Sequence, residues 1–260
     1  MFVIAFIGVI MHELPSREFK ALVTAIKEEA GAECMVVCNA NGLFASAPRL
    51  GKQLELIFDS GIELIFLGEQ AIARNAGRKA LEQGEAPLLR PINLSPGSPG
   101  SGKKLVTIGE KKLWLVSLTD QSNKSLVDPP HEILDNFISN KNDGYPVFIN
   151  MNGSDPDLKK ALAWKYSNCG FSVAVAGTGL KYQTAVIDVT SNGNAFLADA
   201  GAVASRDSIS GVSPQSWWQK HIERIPVSMF PDNSPVAADY AMFYYQNSKI
   251  SKAYRKRIEL

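Results

Sequence analysis

The amino-acid sequence predicts an α/β fold with mixed, largely parallel sheets flanked by helices, and three observations carry that expectation. Short apolar runs alternate with amphipathic helical patterns along the early part of the chain, the grammar of parallel βαβ units. The runs are continuous rather than alternating, as in strands buried on both faces. Finally, an Asn192-Gly193 turn between TAVIDV and AFLADA reads as a hairpin, which makes the sheet mixed.

In chain order, strands are expected at Phe2 to Ile7, Glu33 to Cys38, Glu63 to Leu67, Leu113 to Leu118, Val147 to Met151, Phe171 to Ala176, Thr184 to Val189 and Ala195 to Ala198. The first helix, SREFKALVTAIKEEAG, places Phe19, Leu22, Val23 and Ile26 at helical spacing, with a Ser cap in front and Gly31 behind. RLGKQLELIFDSG, AIARNAGRKALEQG and DPDLKKALAWKYSNCG repeat the pattern. LSPGSPGSGKK, at 94 to 104, reads as a rigid excursion across a sheet edge, because its prolines restrict the backbone. The C-terminal stretch, at about 237–258, reads as a hairpin around a QNSK turn, with aromatics on one face and Lys/Arg on the other. Trp217-Trp218, on the preceding helix, is expected to divide: one ring inward, one toward the sheet edge or a subunit partner.

The 260 residues are read as a single domain, 1–260. Hydrophobic content of 45%, charged content of 20% and a net charge of +1 describe an ordinary globular chain and give no reason to invoke nucleic acid or an acidic surface. MFVIAFIGVIM lacks a basic leader region and is too short to span a bilayer, so the expectation is a cytoplasmic protein with no membrane role. Cys34, Cys38 and Cys169 suit core thiols in a reducing compartment.

Ligands bind outside the carboxyl ends of strands in such sheets. The exits are GVIMHE (8 to 13), NANG (39 to 42), GEQA (68 to 71), TDQSN (119 to 123), NGSD (152 to 155) and GTGLK (177 to 181), a set rich in Asn, Gly, Ser and Thr and poor in charge. Apparent alternatives fail on spacing or context. Gly177-Thr-Gly179 lacks the third glycine and the helix of a dinucleotide fingerprint, and Gly97 to Lys103 matches a phosphate loop with Lys104 in the Ser/Thr position. Of three histidines, His12 follows the first exit, His131 follows Pro129-Pro130, and His221 sits on an amphipathic helix. Cys38 has no histidine within predictable reach.

LLRPINLSPGSPGSG (88 to 102) resembles the LLRPANxPPGxPGxG segment of the bacterial 2',3'-cyclic-nucleotide 2'-phosphodiesterases, the YmdB-like branch of the calcineurin-type metallophosphoesterases. NANG, Leu67-Gly68, ALAWK, GTGLKYQTA and ADAGAVASRDSISGV keep the order of that family's remaining landmarks. The resemblance implies a layered metallophosphoesterase-like sandwich and, in active members, two metal ions that activate a water and clamp a phosphodiester. Carried over position by position, the ligand set is broken. Val9 stands in place of the first Asp, and Asn39-Ala40-Asn41 in place of Gly-Glu-Asn. Gly68-Glu69-Gln70 replaces Gly-Asn-His, Asn152 replaces a histidine, and Gly179 and Lys181 replace two more.

The vestigial positions are therefore Val9, Ala40, Asn41, Glu69, Gln70, Asn152, Gly179 and Lys181, with no catalytic residue expected. No cofactor is expected beyond a single weakly bound divalent cation, for which Asn41, Glu69 and Asn152 are weak candidates. At about 4 Å and an effective dielectric of roughly 20, Lys181 would repel each unit of metal charge by about 4 kcal/mol. The reading is a pseudoenzyme serving as a binding, regulatory or structural component, with a protein partner or self-association. Two alternatives stand beside it: an active phosphodiesterase with a remodelled site at Asn41 and Glu69, and a nucleotide or RNA sensor. The sensor would use Asn41, Thr178, Lys181 and Gln183 as phosphate donors, whereas nucleic-acid binding by the aromatic, basic C-terminus is disfavoured.

Overall fold

The computed structural model describes residues 1–31, 33–84, 86–120 and 127–260, and of Ser46 only the backbone. The fourth expected exit, TDQSN, therefore lies outside the described residues from Gln121 onward. The first half of the chain runs β1 (Phe2–Ile10), α1 (Ser16–Ala30), β2 (Glu33–Asn39), α2 (Asn41–Ser46), α3 (Leu50–Asp59), β3 (Leu64–Phe66), α4 (Gln70–Ala73), α5 (Asn75–Gln83) and β4 (Leu88–Leu89). There follow β5 (Lys103–Ile108), β6 (Lys111–Thr119), α6 (Pro130–Ser139), β7 (Val147–Asn152), α7 (Pro156–Lys165), β8 (Val173–Thr178), β9 (Ile187–Val189) and β10 (Ala195–Leu197). The chain closes with β11 (Ala202–Ser205), α8 (Pro214–His221), β12 (Val236–Gln246) and β13 (Lys249–Glu259).

These strands form two sheets packed face to face, ordered β13-β12-β11-β1-β2-β3-β4 and β5-β6-β7-β8-β10-β9. The period of two along each strand divides the side chains between layers. Phe2, Ile4 and Phe6 of β1 point between the sheets, where Phe6, Phe66, Phe148 and Phe243 interlock with ring centroids 5.2 to 6.0 Å apart. Val3, Ala5 and Ile7 point the other way, onto Phe19, Leu22, Val23 and Ile26 of α1. On the outer face of the second sheet, Val116, Ile149, Met151 and Val175 pack against Leu134 and Phe137 of α6 and Leu162 of α7. The result is a four-layer α/β/β/α sandwich, in which each buried Phe or Leu contributes about 1.5–3 kcal/mol. No helix among the described residues is long and apolar enough to cross a membrane.

Several expectations need correction. The helix begins at Ser16 itself with Pro15 as its cap residue, and no side chain caps it. AIARNAGRKALEQG breaks into two helices because Arg74 is extended (φ −114°, ψ 148°). The hairpin is not one-faced: β12 pairs with β1, β11 and β13, and Tyr240, Met242, Phe243 and Tyr245 are all buried. LSPGSPGSGKK does more than cross one edge, since it carries the chain from β4 in the first sheet to β5 in the second. The strands β4, β5 and β11 were not expected; two residues of β4 and the Lys103-Lys104 start of β5 show no strand period. The Asn192-Gly193 hairpin forms as expected, pairing Ile187 with Leu197 and Val189 with Ala195.

Candidate functional site

The space between the sheets changes character along the strands. Met35 and Val37 lead to Asn39, Leu113 and Leu115 to Ser117 and Thr119, Phe148 to Asn150 and Asn152, and Ala174 and Ala176 to Thr178. The strand period thus delivers amides and hydroxyls to the carboxyl end of the core, where all of them are buried. They bond chiefly to one another. Asn39 Nδ2 donates to Thr178 Oγ1 (3.1 Å) and Asn150 Oδ1 (3.5 Å), and Thr178 Oγ1 lies 3.1 Å from Asn150 Oδ1 and 3.3 Å from Asn152 Oδ1. Asn39 Oδ1 accepts from the Asn41 amide, and Asn41 Oδ1 accepts from the amides of Gly68 and Gln70. Ser117 Oγ donates to the Leu67 carbonyl. Asn150 Nδ2 is buried without an acceptor among the described residues, a flaw in this lattice of neutral groups.

Glu69 is the carboxylate joined to this lattice. Its Oε1 accepts from Gln70 Nε2 (3.1 Å), and its Oε2 from Thr119 Oγ1 (3.2 Å) and Asn152 Nδ2 (3.1 Å). Among the described residues this donor set does not fit a two-metal centre: the lattice holds the Glu69 carboxylate and no imidazole, and the oxygens of Glu69 already accept hydrogen bonds. Among the described residues no three His, Cys, Asp or Glu side chains come together in a group that could hold a metal ion.

Above the lattice opens a crevice of about 920 Å³ in which five of the exits meet, GVIMHE, NANG, GEQA, NGSD and GTGLK. Its lining includes the apolar side chains of Val9, Met11, Pro48, Val212 and Met229 and the polar or charged ones of Glu13, Asn41, Gln70, Asn152, Ser154 and Lys181. Lys181 is exposed, has left-handed backbone (φ 69°) and makes no ion pair among the described residues. Gly179 (φ 116°) passes so close to Gly153 that a Cβ would lie 2.6 Å from its carbonyl oxygen, so no side chain fits there. His12 also lines the crevice. Burial lowers its imidazole below the usual value against a smaller opposing pull from Asp232, and Nδ1 has no hydrogen-bond partner among the described residues.

The structure places the remaining candidates elsewhere. Ala40 is buried on the helix side of the first sheet. Thr178 is wholly buried within the lattice, and Gln183 turns away to the carbonyls of Tyr240 and Lys256 while accepting from Arg255. Both are therefore corrections to the expected phosphate-donor set, which reduces to Asn41 and Lys181. His131 and His221 lie on α6 and α8, away from the crevice lining, and His221 stacks on Trp217 at 4.7 Å. Cys38 is a buried thiol with its pKa pushed up by desolvation, not a nucleophile.

Sequence reasoning missed a charged pair behind the same loop. Lys159 Nζ donates to the carbonyls of Thr178 and Ala198 (3.0 Å each) and lies 3.7 Å from Asp199, both side chains being fully buried. Asp199 in turn accepts from the amides of Leu180 (2.7 Å) and Gly201 (2.8 Å). Burial raises the Asp199 carboxyl to about 6, partly countered by Lys159, and lowers the Lys159 ammonium. The signal was present but weak: Lys159 stands three residues before Leu162, on the buried face of α7.

The family model described as YmdB-like protein matches residues 5–256. The chain belongs to the YmdB-like family. A 2',3'-cyclic-nucleotide 2'-phosphodiesterase of Bacillus subtilis is 29% identical over 141 residues, 54% of this chain; the match spans about half of that relative, 53% of its length. Two solved structures superpose along nearly the whole chain. One is a hypothetical protein from Thermus thermophilus (TM-score 0.84, 21% identity, 99% of each chain), and the other a phosphatase from Mycoplasma pneumoniae (TM-score 0.84, 17% identity, 99% of this chain and 93% of that one). At these identities the superpositions establish the phosphoesterase-type fold alone. Of the positions singled out in the sequence, Val9, Asn41, Glu69, Gln70, Asn152, Gly179 and Lys181 line the crevice, and Ala40 lies in the core.

Proposed function

We propose that this member of the YmdB-like family is a pseudoenzyme: its crevice binds a ligand, and it does not carry out two-metal phosphodiester hydrolysis. The observation that carries the reading is the lattice of Asn39, Asn41, Thr119, Asn150, Asn152 and Thr178, whose side chains bond to one another, to backbone amides and to Glu69, with Asn150 Nδ2 left over. A metal ion would have to break several buried hydrogen bonds and would gain one carboxylate ligand. The name of the Bacillus relative suggests the ligand class, a nucleotide. Its phosphate would meet Lys181 and the Nδ2 of Asn41, and its base would lie against Val9, Met11 and Met229. The free thiols Cys34, Cys38 and Cys169 support a reducing, cytoplasmic setting.

Hydrolysis of bis-p-nitrophenyl phosphate and of 2',3'-cyclic AMP with added Mn²⁺ tests the catalytic half of the proposal. No turnover above the blank is expected. Robust turnover abolished by Glu69→Ala would instead establish a remodelled active site. The binding half is tested by thermal shift with nucleotides, which should raise the melting temperature of the wild type and not of Lys181→Ala. A shift that survives Lys181→Ala would refute the assigned phosphate contact.

A further inference from the structure

The buried pair of Lys159 and Asp199 bears on the crevice through the loop that carries Lys181. Each member of the pair bonds once to that loop and once to the segment after β10. Lys159 Nζ donates to the carbonyls of Thr178 and Ala198, and the Asp199 carboxylate accepts from the amides of Leu180 and Gly201. The two segments run so close together that a Cβ on Gly177 would lie 1.8 Å from the Ala198 carbonyl oxygen and 2.7 Å from Lys159 Cδ. Further along, the Thr184 amide donates to the Asp199 carbonyl (3.1 Å), and the Asp199 amide donates to Thr184 Oγ1 (3.1 Å). The loop is thus fastened on both sides of Lys181.

The backbone of Lys181 needs such fastening. It is left-handed (φ 69°), as is Gly179 (φ 116°), and a non-glycine residue stays in that region where its surroundings fix it. The Leu180 amide lies between the two, and its bond to Asp199 is charge-assisted and buried, the strong kind of hydrogen bond. A lysine ammonium at the end of a flexible stem is directed only as well as its backbone is held, and a loop ordered in advance has less freedom to lose on binding. We infer that Asp199, together with Lys159, is a positioning pair that holds Lys181 at the crevice for an anionic phosphate group, and so sets ligand affinity as well as stability. The inference rests on the reading of Lys181 as the phosphate contact.

Isothermal titration of the full chain with 2',3'-cyclic AMP tests the inference on the wild type and on two double variants, Lys159→Met/Asp199→Asn and Lys159→Met/Asp199→Ala, which lose both charges of the pair together. Asn offers one side-chain oxygen to the Leu180 amide, and Ala offers none. The Ala variant should bind at least about tenfold more weakly than the wild type, with the Asn variant between them. A pair with a purely structural role would lower the melting temperature and leave the affinity of the folded variants unchanged, which would overturn the inference. Hydrogen exchange of the Leu180 amide, followed by NMR in the unliganded wild type, needs no variant to fold: it should be as slow as that of the β8 amides, and free exchange there would also overturn the inference. A wild type that does not bind the nucleotide, with the Leu180 amide protected, would instead refute Lys181 as a phosphate contact, and the positioning role with it.

Discussion

Two polar clusters meet at one residue, Thr178, and they solve the problem of burial in opposite ways. On the side of its hydroxyl lies the neutral lattice of Asn39, Asn150 and Asn152; on the side of its carbonyl lies the ion pair of Lys159 and Asp199. The crevice floor, where phosphoesterase chemistry calls for charge, is made mostly of uncharged amides. The support behind it, which only has to hold a loop, contains a buried salt bridge. The comparison teaches that two polar clusters on either side of one residue stay buried by different means, one through neutral hydrogen bonds and the other through opposite charges.

The largest effect should come from splitting the charged cluster. Asp199→Asn leaves Lys159 buried without its ion-pair partner and should destabilise the protein by about 3–5 kcal/mol in urea unfolding. Adding Lys159→Met should recover most of that loss, as expected for an ion pair whose value is mainly not being half-removed. Breaking the neutral cluster should cost less. Thr178→Val removes the hydroxyl that bridges Asn39, Asn150 and Asn152 and leaves Asn39 Nδ2 with its long 3.5 Å bond to Asn150 Oδ1, at about 1–3 kcal/mol by the same measurement.

Acidity separates the clusters further. The Asp199 carboxyl titrates at about 6 in the folded protein, above the usual range of carboxylates, so the native state holds that proton more tightly than the unfolded chain does. Its contribution to stability is therefore present at low pH and lost as pH rises through about 6. Urea unfolding at pH 5 and pH 7.5 should show the wild type losing stability across this window relative to the Lys159→Met/Asp199→Asn variant. The smallest effect is expected at the crevice rim: Lys181→Gly relieves a left-handed non-glycine backbone and should raise stability by up to about 1 kcal/mol, seen as a small increase in melting temperature.

The fold was legible because long buried strands such as Phe2–Ile10 and helices such as Ser16–Ala30 declare themselves by period and composition. Short strands held by their neighbours do not. Leu88–Leu89 and Ala202–Ser205 are strands because β3 lies beside the first and β1 and β12 flank the second. At the site, the strand exits located the crevice and its lining of Asn, Gly and Ser. Which residues faced it was hidden, because Thr178 and Gln183 point according to pairing partners far away in the chain. Lys159 was hidden for the same reason: its partners are carbonyls of two other segments, and no local pattern marks a lysine that folds inward.

Metal stoichiometry tests the central claim most directly. The purified chain, incubated with excess Mn²⁺ and desalted, should retain well under one ion per molecule by elemental mass spectrometry, because among the described residues Glu69 is the one carboxylate in the lattice and its oxygens are already bonded. Two tightly held ions per chain would contradict the account and return this crevice to the metal-dependent phosphoesterases.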